Sequence, residues 1–308
     1  MTDIGDKMAS VRWAFRCGCW TPSSSEWLFA ARCVQQEEKD RIGKFVFAKD
    51  AKSAMAGRLL LRRFVCERMH IPWAQFRLER SPRGKPYLAA PPEVSPDGGV
   101  APLTWSFNIS HHGDYAVLAA EKGMQVGVDI MKTSMPGSST VPEFFRIMTR
   151  QFTPHEWHAI LSAGSEQRQL ATFYRHWALK ESFIKAIGTG LGFNLQRAEF
   201  HLSSEVPTQT SVICRTRMHL DEEEDHDWVF EESLLDEDHH VAVALGPMKM
   251  PSSARPTWYV PAPAFTQLSF SDLMASASPL TEEDPAYWES FRAKAEAPLR
   301  PRLARIQS

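Results

Sequence analysis

The sequence predicts an α+β fold organised as a pseudo-dimer: two similar lobes, each a long helix packed on a small antiparallel sheet, with a cleft between them. Three observations lead there. A long helical pattern over roughly Asp50 to Met69 is followed by several short strand signals. The same order returns in the second half: a helical pattern from about Gln169 to Ile187, then strand signals at Ala198 to Leu202, Ser211 to Leu220, Trp228 to Glu232 and Val241 to Leu245. The phrase His111-His112-Gly113-Asp114-Tyr115-Ala116-Val117 also resembles Asp238-His239-His240-Val241-Ala242-Val243. At 308 residues the chain is long enough for two such lobes.

Taken in order, residues 1–10 read as a flexible N-terminus, 11–134 as the N-terminal lobe, 135–246 as the C-terminal lobe and 247–308 as an extension. Val11 to about Trp20 is an apolar, aromatic run expected to form a buried strand. Ser23 to Ser25 and Glu26 open a helix before Trp27, Leu28 and Phe29. In the first long helix Met55, Leu59, Leu60 and Val65 recur near helical spacing, Arg58, Arg62 and Arg63 share it, and Pro72 closes it. Phe76 with Leu78, Trp105 to Ile109, and Tyr115 to Ala120 read as strands. Lys122-Gly123 then turns the chain into Val126, Val128 and Ile130. These alternate with Gly127 and Asp129, so Asp129 is expected on the strand face opposite the valines. Met135 to Thr140 is a linker, and Thr153-Pro154-His155-Glu156 a capping box. The second long helix stops at Gly188. Met250 to Phe265 is rich in proline and serine, Thr281 to Asp284 is placed to start a last helix carrying Tyr287, Trp288 and Phe291, and Pro298 to Ser308 reads as a frayed basic tail. Every chemical motif precedes Gly246, so removing the extension is expected to leave the site assembled unless Trp288 and Phe291 cover core surface.

Composition narrows the function. With 43% hydrophobic and 23% charged residues the chain reads as an ordinary soluble protein. A net charge of −2 argues against a nucleic-acid partner, so any anion binding has to come from local clusters. The five cysteines include no CxxC pair, which fits reduced thiols in a cytosolic protein better than a disulfide framework or structural zinc site. The first ten residues carry Asp3 and Asp6 and no apolar core of a signal peptide, and no stretch is long and apolar enough to span a bilayer.

Four segments carry candidate chemistry. On a helix, Trp177, Glu181 and Lys185 fall one turn apart on one face, which suits a site holding a metal and a phosphate; alone, Glu181–Lys185 is equally a surface pair. Asp129 lies inside a Val-Gly-Val-Asp-Ile strand, where a carboxylate either binds something or caps backbone N–H groups. If the lobes face each other, Asp129 and Glu181 meet as a minimal magnesium site. Arg80-Ser81-Pro82-Arg83-Gly84-Lys85-Pro86 is a basic, proline-bounded loop able to wrap a phosphate, or a solvated turn; the spacing of a Walker A loop is absent. Asn108-Ile109-Ser110-His111-His112 sets amide, hydroxyl and imidazole side by side, for phosphate binding or to close a hairpin. Gly188, Gly190 and Gly192 follow a helix rather than a strand, so they read as a C-cap and loop and not as a nucleotide fingerprint.

In combination and order these motifs resemble the phosphopantetheinyl transferases of the Sfp type, whose pattern is a Gly-[Val/Ile]-Asp strand followed by Trp-x-x-Lys-Glu-[Ser/Ala]-x-x-Lys; here they stand as Gly127-Val128-Asp129 and Trp177 to Lys185. The likeness is closer still to the animal members, through Phe45-Val46-Phe47-Ala48, Gly127 to Ser134 and Trp177 to Gly192. The resemblance implies the 4′-phosphopantetheinyl transferase fold with coenzyme A in the cleft. Asp129 and Glu181 would bind magnesium, Lys185 would neutralise phosphate charge, and Glu181 with Lys185 would carry catalysis. Arg41, the loop Arg80, Ser81, Pro82, Arg83, Gly84 and Lys85, and the segment Asn108, Ile109, Ser110 and His111 would hold the nucleotide end and its 3′-phosphate. The nucleophile would be a serine of an apo acyl or peptidyl carrier protein domain, of fatty acid synthase or aminoadipate-semialdehyde dehydrogenase type. Bacterial relatives place an acidic residue where this chain has Met131, and animal relatives a glutamine where it has His112, so the third metal ligand is His112, a water or nothing. Rival readings are another coenzyme A enzyme, such as an acyltransferase, or an inactive module binding carrier protein or coenzyme A. An internal pseudo-dimer needs no partner chain, so a monomer is expected.

Overall fold

The computed structural model describes residues 10–89, 105–135, 137, 139–247 and 262–298. The expectations for the extreme N-terminus, for most of the proline-rich stretch and for the tail after Pro298 lie outside the described residues. The first half forms β1 (Ser10–Phe15), α1 (Ser24–Arg32), α2 (Gln36–Gly43), the long α3 (Ala48–Arg68), the hairpin β2 (Arg77–Arg80) and β3 (Pro86–Ala89), then β4 (Trp105–His112), β5 (Tyr115–Lys122) and β6 (Met124–Lys132). The second half forms α4 (Val141–Ile147), α5 (Pro154–Leu161), the long α6 (Glu166–Ile187), β7 (Ala198–His201), β8 (Arg217–Leu220), β9 (Glu223–Glu224), β10 (Val229–Leu234) and β11 (His239–Pro247). The extension adds β12 (Thr266–Gln267), α7 (Phe270–Met274) and α8 (Pro285–Arg292). Local signals act as the sequence predicts: Thr153 and Glu156 cap each other reciprocally at the start of α5, and Gly188 ends α6 in the left-handed region at φ 70°. The apolar run from Val11 is a strand only to Phe15; Cys17–Cys19 make a 3-10 turn.

Two principal sheets, ordered β12-β1-β5-β4 and β10-β11-β6, pack face to face. Period-2 alternation sorts their side chains. Tyr115, Val117 and Ala119 of β5 meet Val126, Val128 and Ile130 of β6 and Val241, Val243 and Leu245 of β11 in a core between the sheets. The other face of β5, with Ala116, Leu118 and Ala120, packs under Met55, Leu59 and Leu60 of α3. Ala242 and Ala244 of β11 pack under Ala178, Leu179 and Phe183 of α6. The two long helices therefore occupy equivalent outer layers, as the pseudo-dimer requires. The two look-alike phrases meet where the sheets join: the Asp114 amide donates to Nε2 of His239 at 3.0 Å.

β4 and β6 lie side by side without exchanging ladder hydrogen bonds. Side chains replace the ladder. Ser106, Asn108 and His112, two or four residues apart on one face of β4, accept the backbone N–H groups of Val126 (3.3 Å), Val128 (3.0 Å) and Lys132 (2.9 Å). Ser110, in the same row, donates to the Asp129 carboxylate at 2.8 Å. Three backbone N–H groups of β6 that face away from β11 are thereby satisfied.

Two expectations need correction. The lobe boundary expected at 134 falls instead at Gly123, because β6 pairs with β11 from Met124 to Lys132. The Gly123 turn (φ 73°) carries the chain off the first sheet, and β6 joins the ladder of the second sheet with its valine face turned back toward β5. The extension is also part of the first lobe rather than an appendage. β12 lies parallel to β1, Leu273 and Phe291 are buried in the α3 core, and the Phe291 ring stacks on Trp27 at 3.8 Å. Lys294 donates to the Gly43 (3.0 Å) and Phe45 (2.6 Å) carbonyls, tying α8 to the end of α2.

Deleting 247–308 is therefore expected to expose the α1–α3 core and abolish cooperative unfolding. Phe291→Ala alone should lower stability by about 3 kcal/mol. Chemical denaturation checks both; a truncated chain with the full-length transition contradicts this account.

Candidate active site

α6 lies unusually close to β6. A Cβ on Gly127 would sit 2.0 Å from the Ser182 carbonyl oxygen and 2.4 Å from the Ala186 nitrogen, so no larger residue fits there without moving the helix. Asp129, two residues on and on the same strand face, is consequently held under the turn of α6 that carries Glu181 and Lys185. Asp129 Oδ1 accepts from Lys185 Nζ at 2.5 Å and from Ser110 Oγ at 2.8 Å. Lys185 Nζ also donates to Ser110 Oγ at 2.9 Å. The other oxygen, Asp129 Oδ2, is buried with no hydrogen-bond partner. Burial, and then the charge of Asp129, push the Glu181 carboxyl above its usual range, while Lys185 pulls it down. Two carboxylates, one with an orphaned buried oxygen, form a donor set suited to a hard divalent cation completed by water and phosphate oxygens.

These groups line one end of a cleft of about 760 Å³. The basic loop is the tip of the β2–β3 hairpin, and it crosses from the first lobe to the end of α6. Arg83 Nη1 donates to the Gly188 carbonyl at 2.7 Å, and Lys85 Nζ to the Lys185 carbonyl at 3.2 Å. Cations at the carbonyl end of a helix are favourably placed. Burial lowers the Lys85 pKa. His111 also lines the cleft; burial first, then the Lys185 and Arg41 cations, hold its imidazole neutral. Met131 and Trp177 add apolar surface.

The cleft brings together Arg41, Arg80, Arg83, Gly84 and Lys85 from the basic set, Asn108 to His112 from β4, and Asp129, Glu181 and Lys185. Ser81 and Pro82, expected beside them, do not line it. The Ser81 hydroxyl instead accepts the Lys85 N–H at 3.1 Å and shapes the turn, with Gly84 at φ 81°. Asn108 is engaged with the Val128 amide. His112, expected as a metal ligand, uses Nδ1 to accept the Lys132 amide. Its neutral ring then carries the proton on Nε2 and has no lone pair left for a metal. In this arrangement His112 is a hydrogen-bond donor, and the ligand expectation is corrected accordingly.

Sequence patterns gave no hint of Glu38. Its buried carboxylate lies 2.9 Å from Arg41, 3.0 Å from Arg58 and 3.0 Å from Arg80, three arginines that all line the cleft. The Arg58 side chain is 2% exposed, and neither Nη is aligned for a hydrogen bond with any described residue despite the proximity of Glu38. A buried guanidinium with unspent donors beside a cleft is a natural anion contact.

Comparison with known proteins agrees with the resemblance. Residues 18–123 match the family model described as "4'-phosphopantetheinyl transferase, N-terminal", and residues 125–244 match that of the "4'-phosphopantetheinyl transferase superfamily". The chain is 54% identical over 301 residues to the L-aminoadipate-semialdehyde dehydrogenase-phosphopantetheinyl transferase of Xenopus laevis, covering 97% of both chains. It is 54% identical to the protein of that name from Homo sapiens, over 95% of this chain and 94% of the relative. It is 40% identical to a phosphopantetheinyl transferase of Thraustochytrium, over 76% and 77%. The chain belongs to the 4′-phosphopantetheinyl transferase superfamily. It is an enzyme that transfers the 4′-phosphopantetheine group of coenzyme A to carrier-protein domains.

Gly127→Ala is expected to push α6 off β6, lowering stability by about 2 kcal/mol and transfer activity by a larger factor than stability alone explains. Wild-type turnover in a folded Gly127→Ala protein contradicts the close approach. Glu38→Gln leaves Arg58 buried and uncompensated; it should cost about 3 kcal/mol of stability and weaken coenzyme A binding about tenfold, read by denaturation and calorimetric titration. Unchanged affinity would show that the arginines do not depend on Glu38.

Proposed function

We propose that the cleft binds coenzyme A with its diphosphate between Asp129, Glu181 and Lys185. Its 3′-phosphorylated nucleotide would lie toward Arg41, Arg58, the Arg80–Lys85 hairpin tip, Ser110 and His111. The observation that carries this reading is the buried, unpartnered Asp129 Oδ2 in a cleft that Asp129 and Glu181 both line. Asp129 and Glu181 would hold a magnesium ion, which when bound supplies positive charge to the diphosphate oxygens. Lys185, now paired with Asp129, would turn its ammonium toward the phosphates and neutralise charge that grows as the leaving group departs. The cations from the first lobe fix the nucleotide, so that the phosphorus carrying the pantetheine arm is presented to the open side of the cleft.

The carrier serine oxygen forms a bond to that phosphorus as the phosphoanhydride bond breaks, releasing adenosine 3′,5′-bisphosphate. Glu181, its carboxyl made more basic by burial, takes the serine proton directly or through water. The carrier proteins proposed are acyl and peptidyl carrier domains of fatty acid synthase type and of the aminoadipate-semialdehyde dehydrogenase named in the relatives. One chain supplies both walls of the cleft, which supports action as a monomer. Five free thiols support a cytosolic setting, and no helix among the described residues is long and apolar enough to cross a membrane.

Glu181→Gln and Asp129→Asn are each expected to lower transfer to an apo carrier protein about 10²–10³-fold while the fold persists. The mass gain of the carrier by one phosphopantetheine gives the rate, and circular dichroism the fold. Near-normal turnover of either variant in saturating magnesium would overturn the assignment.

A further inference from the structure

The small sheet β7-β8-β9 lies on the outside of the second lobe, away from the cleft. Its register sets Glu199 opposite His219, and His219 opposite Glu224. His201, two residues from Glu199, shares their face. His155, exposed in the first turn of α5, closes over it. Its ring stacks on His201 with centroids 3.9 Å apart, and His201 lies 4.2 Å from His219. Glu199 Oε1 is 2.8 Å from His201 Nε2. One ligating atom each from His155, Glu199 and His201 lie within 4.8 Å of one another. His219 Nδ1 is buried and has no hydrogen-bond partner.

Three imidazoles in contact, with a carboxylate between two of them and a buried unsatisfied nitrogen on the third, make a poor surface for water and a good one for a cation. We propose that His155, Glu199 and His201 form a binding site for a divalent transition metal of the zinc class, with His219 as a fourth ligand. Imidazole and carboxylate together favour zinc, cobalt, nickel or copper over magnesium. Metal–ligand bonds of about 2.0–2.1 Å in a tetrahedron place the ligating atoms about 3.3 Å apart, so Glu199 Oε1 and His201 Nε2, now 2.8 Å apart, separate slightly on binding while the remaining ligand atom draws in. The His155 and His201 planes are 19° apart and do not converge on one point. One ring has to turn, and His155, at the exposed helix start, is the one with room. The ion takes the Nε2 position that now faces Glu199, and the ring proton of the neutral imidazole passes to Nδ1.

The backbone under the site is firm. Glu156, next to His155, accepts the Phe200 amide at 2.9 Å and pairs with Lys180 at 2.8 Å, so α5 is fastened to β7 between the two histidines. The metal would clamp the same junction from outside. None of its ligands lines the cleft, so the site is separate from the Asp129–Glu181 pair.

Cobalt titration of the full chain in excess magnesium tests this by visible absorption, with zinc retention after dialysis as a second measure. One cobalt per chain with ligand-field bands, displaced by zinc, is expected, together with a higher melting temperature. His155→Ala and His201→Asn should each weaken cobalt binding about tenfold or more and abolish the thermal shift. Asp129→Asn should retain both, and His155→Ala should keep wild-type transfer activity. No cobalt uptake in magnesium, or equal uptake by wild type and both histidine variants, overturns the proposal.

Discussion

The site depends on one close approach: the backbone of β6 at Gly127 against the backbone of α6 at Ser182 and Ala186. A side chain there would hold the helix away, and Asp129 would no longer lie beneath Glu181 and Lys185. The absence of a Cβ on one residue thus brings a strand carboxylate and a helix carboxylate close together, and burial first, then the Asp129 charge, raise the pKa of Glu181. Lys185 answers that charge by pairing with Asp129. An unaided pair of carboxylates, Asp129 buried and Glu181 partly so, is costly; the Lys185 ammonium makes it tolerable.

The rest of the fold positions partners around this contact. The two sheets share a core of alternating apolar residues, yet their inner strands β4 and β6 join through side chains rather than a ladder. Those side chains end at Ser110 and His112, so the row that stitches the lobes together also delivers polar groups to the cleft. From the first lobe, Glu38 gathers three arginines, and the β2–β3 hairpin reaches across to the carbonyl end of α6. The arginines at the cleft come mainly from the first lobe, and Asp129 and Glu181 both come from the second.

Much of this was legible in the sequence because its signals are local. Period 2 around Val126 to Ile130 placed Asp129 opposite the valines, and helical spacing placed Glu181 and Lys185 on one face. Capping residues and Gly188 marked helix ends. The rest depends on long-range packing that periodicity does not carry. β6 reads as the last strand of the first lobe because it follows β5 by one turn, but its pairing is decided by β11, more than a hundred residues later. The return of α8 onto Trp27 is likewise invisible locally, although the aromatic content of Tyr287 to Phe291 signalled a buried face. Glu38 reads as one acid in a polar helix; only the fold surrounds it with Arg41, Arg58 and Arg80. His112 carried the residue type of a ligand, and the Lys132 amide that occupies its Nδ1 is a tertiary fact.

The most direct test of the account is whether Asp129 and Glu181 act together on one ion. Manganese binding in the presence of coenzyme A, followed by electron paramagnetic resonance, measures this without relying on turnover. The account predicts one tightly held manganese ion per chain in the wild type, lost alike in Asp129→Asn, Glu181→Gln and the double variant, with no further loss on combining them. Full manganese binding in either single variant would contradict it.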